Sequence, residues 1–233
     1  ANYKDYVLPV MFVKYLSDSY TDAVEELSKQ SSGIRLERQK KYLPFMVAEG
    51  CSFYDLYQQR FADNIGQLMN AAMRQIEADN NQQLAGVLSA VDYNSENALG
   101  TREHKNVILR DLLEDFEPLD LRPSAIEVKE GQVPADVIGD AYEYMIGQFA
   151  SMAGKKAGSF YTPAAVSEIM ARIVDVQPGE RVYDPTCGSG SLLIKAAKKQ
   201  NSKEVSIYGQ EVNGSSVAMA KMNMYIHEIR DAK

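Results

Sequence analysis

The sequence has few cysteines and histidines and no long apolar run. Cys51 and Cys187 are the only cysteines in 233 residues, too few for a disulfide framework, and they lack the spacing of metal ligands. So few cysteines favour a reducing compartment, the cytoplasm. No stretch of about 18 apolar residues occurs, so we expect no transmembrane helix and no membrane partner. His104 and His227 have no ligand-spaced partner, and neither is assigned a role.

The N-terminus also lacks two common features. Residues 1–5 (ANYKD) include no initiator methionine and do not have the charged-then-apolar order of a secretion signal. We therefore expect that the first residue is not the natural one.

Basic residues are outnumbered, 25 against 32 acidic, which gives a net charge of −7. This balance argues against a chain that grips nucleic acid through bulk charge alone. The charge is also uneven, because residues 158–233 carry 9 basic and 8 acidic side chains whereas residues 1–157 carry 16 and 24. We interpret this shift as a boundary between two domains, 1–157 and 158–233.

The first domain has helical periodicity. Apolar residues recur at helical spacing over 53–73, 103–116 and 134–150, and Pro134 and Asp136 suit a helix start. A further segment, Val7–Leu16, is apolar nearly all round, which is typical of a buried helix.

Three local features interrupt this pattern. Pro9 is expected to kink the first helix or to mark its start. Residues 28–41 are polar and then basic, which suggests a loop, and Gly154–Gly158 suggests a flexible link between domains.

The pattern changes after Gly158. A helix over about 163–175 precedes a short strand at 181–184, a glycine loop and another helix. A second strand at 205–209 and a helix over about 215–229 follow. This order predicts the opening of a doubly wound, Rossmann-like α/β domain with a parallel sheet.

The strongest local signal is the segment Asp184–Gly190 (DPTCGSG) between strand and helix. Gly188 and Gly190 allow a sharp turn and close approach of a ligand, and amides at the following helix start can receive polar atoms. Glu211, at the end of the next strand, can bind both hydroxyls of a ribose. Together these features predict a site for an adenosine-like ligand.

The glycine spacing narrows the range of possible ligands. A dinucleotide loop requires a third glycine where this sequence has Leu193, and no P-loop motif occurs. A ligand without a pyrophosphate, S-adenosylmethionine, is therefore favoured. Two alternatives remain: a dinucleotide-binding oxidoreductase, and a non-enzymatic helical interaction module with a vestigial pocket.

Several motifs together resemble a known family. Gly158–Pro163 (GSFYTP), the Asp184–Gly190 loop and Gly209–Glu211 resemble the amino-methylating DNA methyltransferases. Asp136–Tyr144 (DVIGDAYEY) and the pair Lys4–Leu8 with Lys14–Asp18 look like the modification subunit of type I restriction–modification systems. The resemblance covers nearly the whole chain, although residues 28–130 match only loosely.

The resemblance implies a set of cofactor-binding residues. Thr162 would offer its hydroxyl and N–H to the cofactor carboxylate, Glu211 would take the ribose hydroxyls and Val212 would pack against adenine. The full implied set is Ser159, Phe160, Tyr161, Thr162, Pro163, Asp184, Pro185, Thr186, Gly188, Ser189, Gly190, Ser191, Glu211 and Val212.

The catalytic motif of that family, Asn-Pro-Pro-Phe or Asn-Pro-Pro-Tyr, is absent, and no Asn-Pro dipeptide occurs. The resemblance implies that this motif binds the N6 amine of a flipped-out adenine. We therefore expect a truncated methyltransferase domain that is inactive alone. The implied partners are a specificity subunit, an endonuclease subunit, a second modification subunit and double-stranded DNA in the assembled complex.

Plainer interpretations apply to some of these residues. Thr162 and Pro163 could simply begin a helix, and Glu211 could be a solvated strand end. Cys187 is better read as a buried filler than as a nucleophile. The methionines of the last helix are better read as core, and residues 35–41 as a solvated basic loop.

Overall fold

The computed structural model describes residues 3–198 and 204–233, which divide into two compact units, 1–130 and 131–233. The division lies before the long helix that starts at Pro134, whereas the shift in charge suggests a boundary after residue 157. That helix packs with elements of the second unit, so its packing and not the charge of the flanking sequence determines where it belongs.

The first unit is helical. Within the described residues its elements are α1 (Tyr3–Gln30), α2 (Gly33–Lys40), α3 (Phe53–Gln58), α4 (Ile65–Asp79), α5 (Asn81–Leu84), α6 (Glu96–Leu99), α7 (Arg102–Phe116) and a 3-10 turn (Pro123–Ala125).

Helix α1 confirms the interpretation of its apolar segment. Its side chains from Leu8 to Ser19 are all buried, as expected of a helix that is apolar nearly all round. The helix runs through Pro9, which lies inside it and does not mark its start.

Two expectations for the first unit are wrong in detail. The segment 53–73 is two helices, α3 and α4, because the chain leaves helical geometry after Gln58. Phe61 is exposed there, and the Arg60 guanidinium lies over its ring. The segment 28–41 is mostly helical, since α1 extends to Gln30 and α2 follows. Helix α2 buries no side chain and consists largely of good helix formers.

The second unit is an α/β arrangement. Within the described residues it contains α8 (Pro134–Ala153), a 3-10 helix (Gly154–Ser159), α9 (Ala164–Val174), β1 (Arg181–Asp184), α10 (Ser191–Lys198), β2 (Ser206–Gly209) and α11 (Gly214–Ile226). Both strands and the four α-helices lie where the sequence predicts them. The expected flexible link is instead the 3-10 helix.

The strands β1 and β2 are parallel, with Arg181 opposite Ser206 and Asp184 opposite Gly209. Lys233 adds to the other side of β2, donating its N–H to the carbonyl of Ile207 and accepting from the N–H of Gly209. These two bonds have the pattern of a parallel ladder. Because β1 and β2 are themselves parallel, their carboxyl ends lie side by side.

The core of the second unit lies between the sheet and its helices. Its buried members are Ala171, Val176, Leu193, Ile194, Ala196, Ala197, Val205, Ile207, Met224 and Ile229. The apolar face expected on α9 is not part of this core. Val166, Ile169, Met170 and Ile173 are exposed, and α9 instead buries Ser167 and Ala171.

Candidate functional site

The loop between β1 and α10 is held in a tight turn. The Asp184 carboxylate accepts the N–H of Thr186 at 2.9 Å, and the N–H of Gly190 donates to the carbonyl of Cys187 at 2.7 Å. Gly188 and Gly190 have φ angles of +53° and +78°, which favour glycine. The two glycines of the motif are therefore required by the backbone itself.

The segment Ser159–Pro163 contacts this loop. The N–H of Ser189 donates to the carbonyl of Phe160 at 3.0 Å. A Cβ at Gly188 would lie only 3.0 Å from that same carbonyl oxygen. Gly188 thus permits the approach of two segments that are far apart in the sequence.

Glu211 lies two residues after the end of β2 and contacts the same loop. One carboxylate oxygen accepts the N–H of Gly188 at 3.1 Å, and the other accepts the N–H of Asn213 at 2.8 Å. Gln210 adds two backbone bonds, to the carbonyl of Asp184 and from the N–H of Cys187. The plainer interpretation of Glu211 as a merely solvated strand end is therefore wrong.

The remaining predicted residues differ in their exposure to solvent. Val212 is fully exposed, at 101% of its reference area, and Pro185, Thr186 and Pro163 are also exposed. Tyr161 and Thr162 are half-buried, and Ser159 is exposed. Phe160 is buried.

The two serines of the loop point inward. Ser189 and Ser191 are 2% and 4% exposed, and their hydroxyl oxygens lie 3.1 Å apart. Their side chains are therefore not presented to the surface, and any contact with a ligand at the loop would use their backbone groups.

Helix α9 begins beside this segment. Pro163 is the residue before its first turn, and its carbonyl accepts the N–H groups of Val166 and Ser167. The interpretation of Thr162 as the N-cap and Pro163 as the first helical residue is therefore wrong by one position, since Pro163 is itself the N-cap and Ala164 begins the helix.

Cys187 is poorly suited to act as a nucleophile. Burial, together with the nearby Asp184 and Glu211 carboxylates, raises the pKa of its thiol to about 11. Its sulfur packs against Gly209, where an added Cβ would lie 3.0 Å away. The interpretation of Cys187 as a filler is therefore favoured. The methionines of α11, at 219, 222 and 224, are buried, as expected of core residues.

Leu193 stands where a dinucleotide loop would have its third glycine. Its side chain is 2% exposed and reaches the position next to Gly209. A leucine here fills the space that close helix–strand packing on a glycine would require. The packing therefore disfavours the dinucleotide alternative.

Three residues near the loop were missed by sequence reasoning. Glu143 on α8, and Asn223 and His227 near the end of α11, are buried or nearly so. Of the three, only Asn223 could have been singled out from the sequence, because it is a polar residue within the apolar run of α11. Across residues 3–198 and 204–233 there is no cluster of three or more His, Cys, Asp or Glu suited to a metal ion.

Comparison with known protein families matches both parts of the chain. Residues 1–116 match the HsdM N-terminal domain, and residues 133–233 match the N-6 DNA methylase domain. The chain belongs to the family of type I restriction methylase subunits.

Relatives from this methylase-subunit family align along half of the chain or nearly all of it. The MjaVIII methylase subunit of Methanocaldococcus jannaschii is 30% identical over 235 residues, covering 97% of this chain and 38% of the relative. The MpnII methylase subunit of Mycoplasma pneumoniae is 39% identical over 126 residues, covering 52% of this chain and 22% of the relative.

A solved structure shows the same architecture. The type I restriction–modification methyltransferase subunit from Streptococcus thermophilus superposes with a TM-score of 0.77 at 28% identity, over 98% of this chain and 52% of that one. The helical domain followed by a methyltransferase domain is thereby confirmed. The chain spans about half of that structure and 22% to 38% of the two curated relatives.

In this methylase-subunit chain the Lys14–Asp18 motif has a structural role. Lys14 forms an ion pair with Asp18, and both side chains are fully buried. Asp18 also accepts the Tyr54 hydroxyl at 2.6 Å and the N–H of Leu121 at 2.8 Å. Ser17 accepts the N–H of Phe53 at 2.8 Å. The motif thus ties α1 to α3 and to the segment after α7.

Proposed function

We propose that this chain provides the S-adenosylmethionine-binding part of a modification subunit that methylates adenine at N6 in a specific DNA sequence. The observation that carries the proposal is the convergence on one loop. Phe160 and Glu211 both bond to the backbone of residues 188–189, at the carboxyl ends of two parallel strands. In open α/β sheets, ligands bind at that edge. Family membership supports the reaction class.

The residues present fit the proposed cofactor. Each Glu211 oxygen accepts one backbone N–H, and a carboxylate has about four acceptor sites, so sites remain for two ribose hydroxyls. Val212 offers a fully exposed apolar side chain for the adenine ring. The first amides of α10 have no acceptor within the helix and can receive the carboxylate of the amino acid end. When bound, the cofactor supplies an electrophilic methyl group.

The chain's own residues would bind and orient this cofactor without touching the base. Because no Asn-Pro dipeptide occurs in the 233 residues, they lack the motif that holds the flipped adenine in this family. We therefore expect these 233 residues alone to bind cofactor and to transfer no methyl group. Measurable tritium incorporation into DNA would contradict this expectation.

The proposed partners follow from the assembly in which such subunits work. The relatives are named methylase subunits of type I restriction enzymes, and residues 1–116 match the HsdM N-terminal domain. We propose that the intact protein assembles with a specificity subunit, an endonuclease subunit and a second modification subunit on double-stranded DNA. A cytoplasmic location is part of the same proposal, supported by two free thiols at Cys51 and Cys187. Within the described ranges, no helix is long and apolar enough to cross a membrane.

Calorimetric titration of the intact protein with S-adenosylhomocysteine tests the cofactor assignment. We expect binding by the unaltered protein and a loss of affinity of about tenfold or more in Glu211→Gln, because a hydrogen-bond acceptor with full charge is lost. Glu204→Gln is the matched control, since Glu204 is exposed at the opposite end of β2. Binding of NAD without binding of S-adenosylhomocysteine would overturn the proposal.

A further inference from the structure

A buried polar network contacts the glycine loop. The Asn223 amide donates to the carbonyl of Ser189 at 3.0 Å, and Asn223 is fully buried. The hydroxyl of Ser189 contacts that of Ser191. The Glu143 carboxylate accepts hydrogen bonds from Ser191 and Asn223. The middle of the loop is thus held through both the carbonyl and the hydroxyl of Ser189.

The network depends on how α8 and α11 pack. Gly139 faces His227, because a Cβ at Gly139 would overlap the imidazole ring. One helical turn along each helix, Glu143 faces Asn223. Residue numbers thus increase along α8 as they decrease along α11, so the two helices run antiparallel here. The close approach at Gly139 brings the Glu143 carboxylate within reach of the loop.

One oxygen of the Glu143 carboxylate is not used by this network. That oxygen has no hydrogen-bond partner among the described residues. Glu143 lines a cavity of about 840 Å³ together with Lys195, Lys198 and His227. Burial raises the pKa of Glu143, while the two lysines and the bonds from Ser191 and Asn223 oppose that shift. Both forms of the carboxyl group retain an acceptor oxygen for the network.

We propose that Glu143 and Asn223 are positioning residues that hold the loop Cys187–Ser191 in the conformation that receives the cofactor. The inference rests on the proposed function for its ligand. It gives a role to the Asp136–Tyr144 segment, which contributes no residue to the cofactor contacts proposed above. In this role Gly139 sets the approach of the helices, and Glu143 and Asn223 fix the loop.

Two readouts on the intact protein test this inference. The first, which needs no ligand, is hydrogen–deuterium exchange of peptides covering residues 185–193. The second is the dissociation constant for S-adenosylhomocysteine. We expect Asn223→Leu and Glu143→Leu each to accelerate loop exchange and to weaken ligand binding by about tenfold, the effect of losing one buried hydrogen bond.

Rescue and control variants separate positioning from general stability. Glu143→Gln keeps an acceptor oxygen and is expected to restore exchange and affinity to near the unaltered values. Asp140→Leu is the control, because Asp140 lines the same cavity on the same helix but is exposed. It should change neither readout.

The outcomes distinguish the two proposals. If Glu143→Leu and Asn223→Leu leave the exchange of residues 185–193 unchanged, or accelerate exchange equally throughout the second unit, the positioning role is wrong. If loop exchange responds as expected but the unaltered protein does not bind S-adenosylhomocysteine, the cofactor assignment fails and the role of the network in holding the loop stands.

Discussion

Gly139 on α8 lies directly against the imidazole ring of His227 on α11, with no room for a Cβ between them. His227 is 6% exposed, so the contact lies within the packed interior of the second unit. The contact therefore fixes the separation of these two helices of the second unit.

Replacing Gly139 with alanine should destabilise the protein despite the higher helix propensity of alanine. We expect a loss of about 1–3 kcal/mol in the free energy of unfolding, the range for overpacking a buried contact. Urea titration followed by circular dichroism measures it. Gly214→Ala is the matched control, since Gly214 begins α11 with nothing within 4 Å of an added Cβ. Equal stability of the two variants would contradict the close contact.

His227 should make stability depend on pH. Burial lowers its pKa to about 3, and Lys198 and Lys195 act in the same direction, while Asp136 opposes them. An unfolded imidazole has a pKa of about 6.5. Between these values the unfolded state binds a proton that the folded state does not. The free energy of unfolding should therefore fall as pH decreases from about 6.5 towards 3, by at most about 1.4 kcal/mol per pH unit.

Glu143 works against this slope, because its raised pKa lets the folded state bind a proton before the unfolded state does. Urea unfolding at pH 7 and pH 5.5 measures the net effect. His227→Gln should flatten the dependence, and His104→Gln, at an exposed position, should not. An identical pH dependence in His227→Gln and the unaltered protein would show that the imidazole is not the group responsible.

The buried Lys14–Asp18 pair should be essential to the first unit. Asp18→Asn keeps the shape but leaves the Lys14 charge buried without its counter-ion, which typically costs about 3–5 kcal/mol. The free energy of unfolding, measured by denaturant titration, should fall accordingly. Glu26→Gln removes one partner of the exposed Lys29–Glu26 pair and should have no resolvable effect. A stable Asp18→Asn protein would mean that the pair is dispensable.

The Cys187 thiol should react slowly. With its pKa raised to about 11, less than about one in a hundred molecules is thiolate at pH 8. Mass spectrometry after iodoacetamide treatment should find little modification of Cys187 in the folded protein and complete modification in denaturant. Cys187→Ala should still bind S-adenosylhomocysteine. Rapid modification of the folded protein would contradict a half-buried, protonated thiol.

The local sequence pattern predicted the secondary structure of the second unit well, because its helices and strands have recognisable residues at their starts and turns. Pro134 and Asp136 start α8, and the alternation of strand and helix around Gly188 specifies the parallel pair. The contact of Phe160 with Ser189 could not be predicted from spacing, although the family resemblance implied that both segments line one pocket. Its physical cause, the missing Cβ at Gly188, is a property of the folded backbone.

Other features lay beyond local pattern for equally specific reasons. The stripe on α9 has helical spacing, yet spacing does not say whether a neighbour covers it, and Ile173 is 78% exposed. From the sequence Glu143 is an ordinary charged residue on a helix, and only the packing of α11 shows that it is largely shielded from solvent. Phe61 continues the periodicity of its segment, but the helix breaks and an arginine covers its ring instead.

The position of Glu211 affects how a ligand made of two separable parts would bind. Glu211 follows β2, and its carboxylate accepts the N–H of Gly188, so one side chain connects the ribose and amino acid ends of the proposed cofactor site. Filling the ribose end would then orient the loop that meets the amino acid end, and such coupling is reciprocal. Adenosine and methionine, supplied as separate molecules to the intact protein, should therefore bind cooperatively, each lowering the dissociation constant of the other in paired titrations.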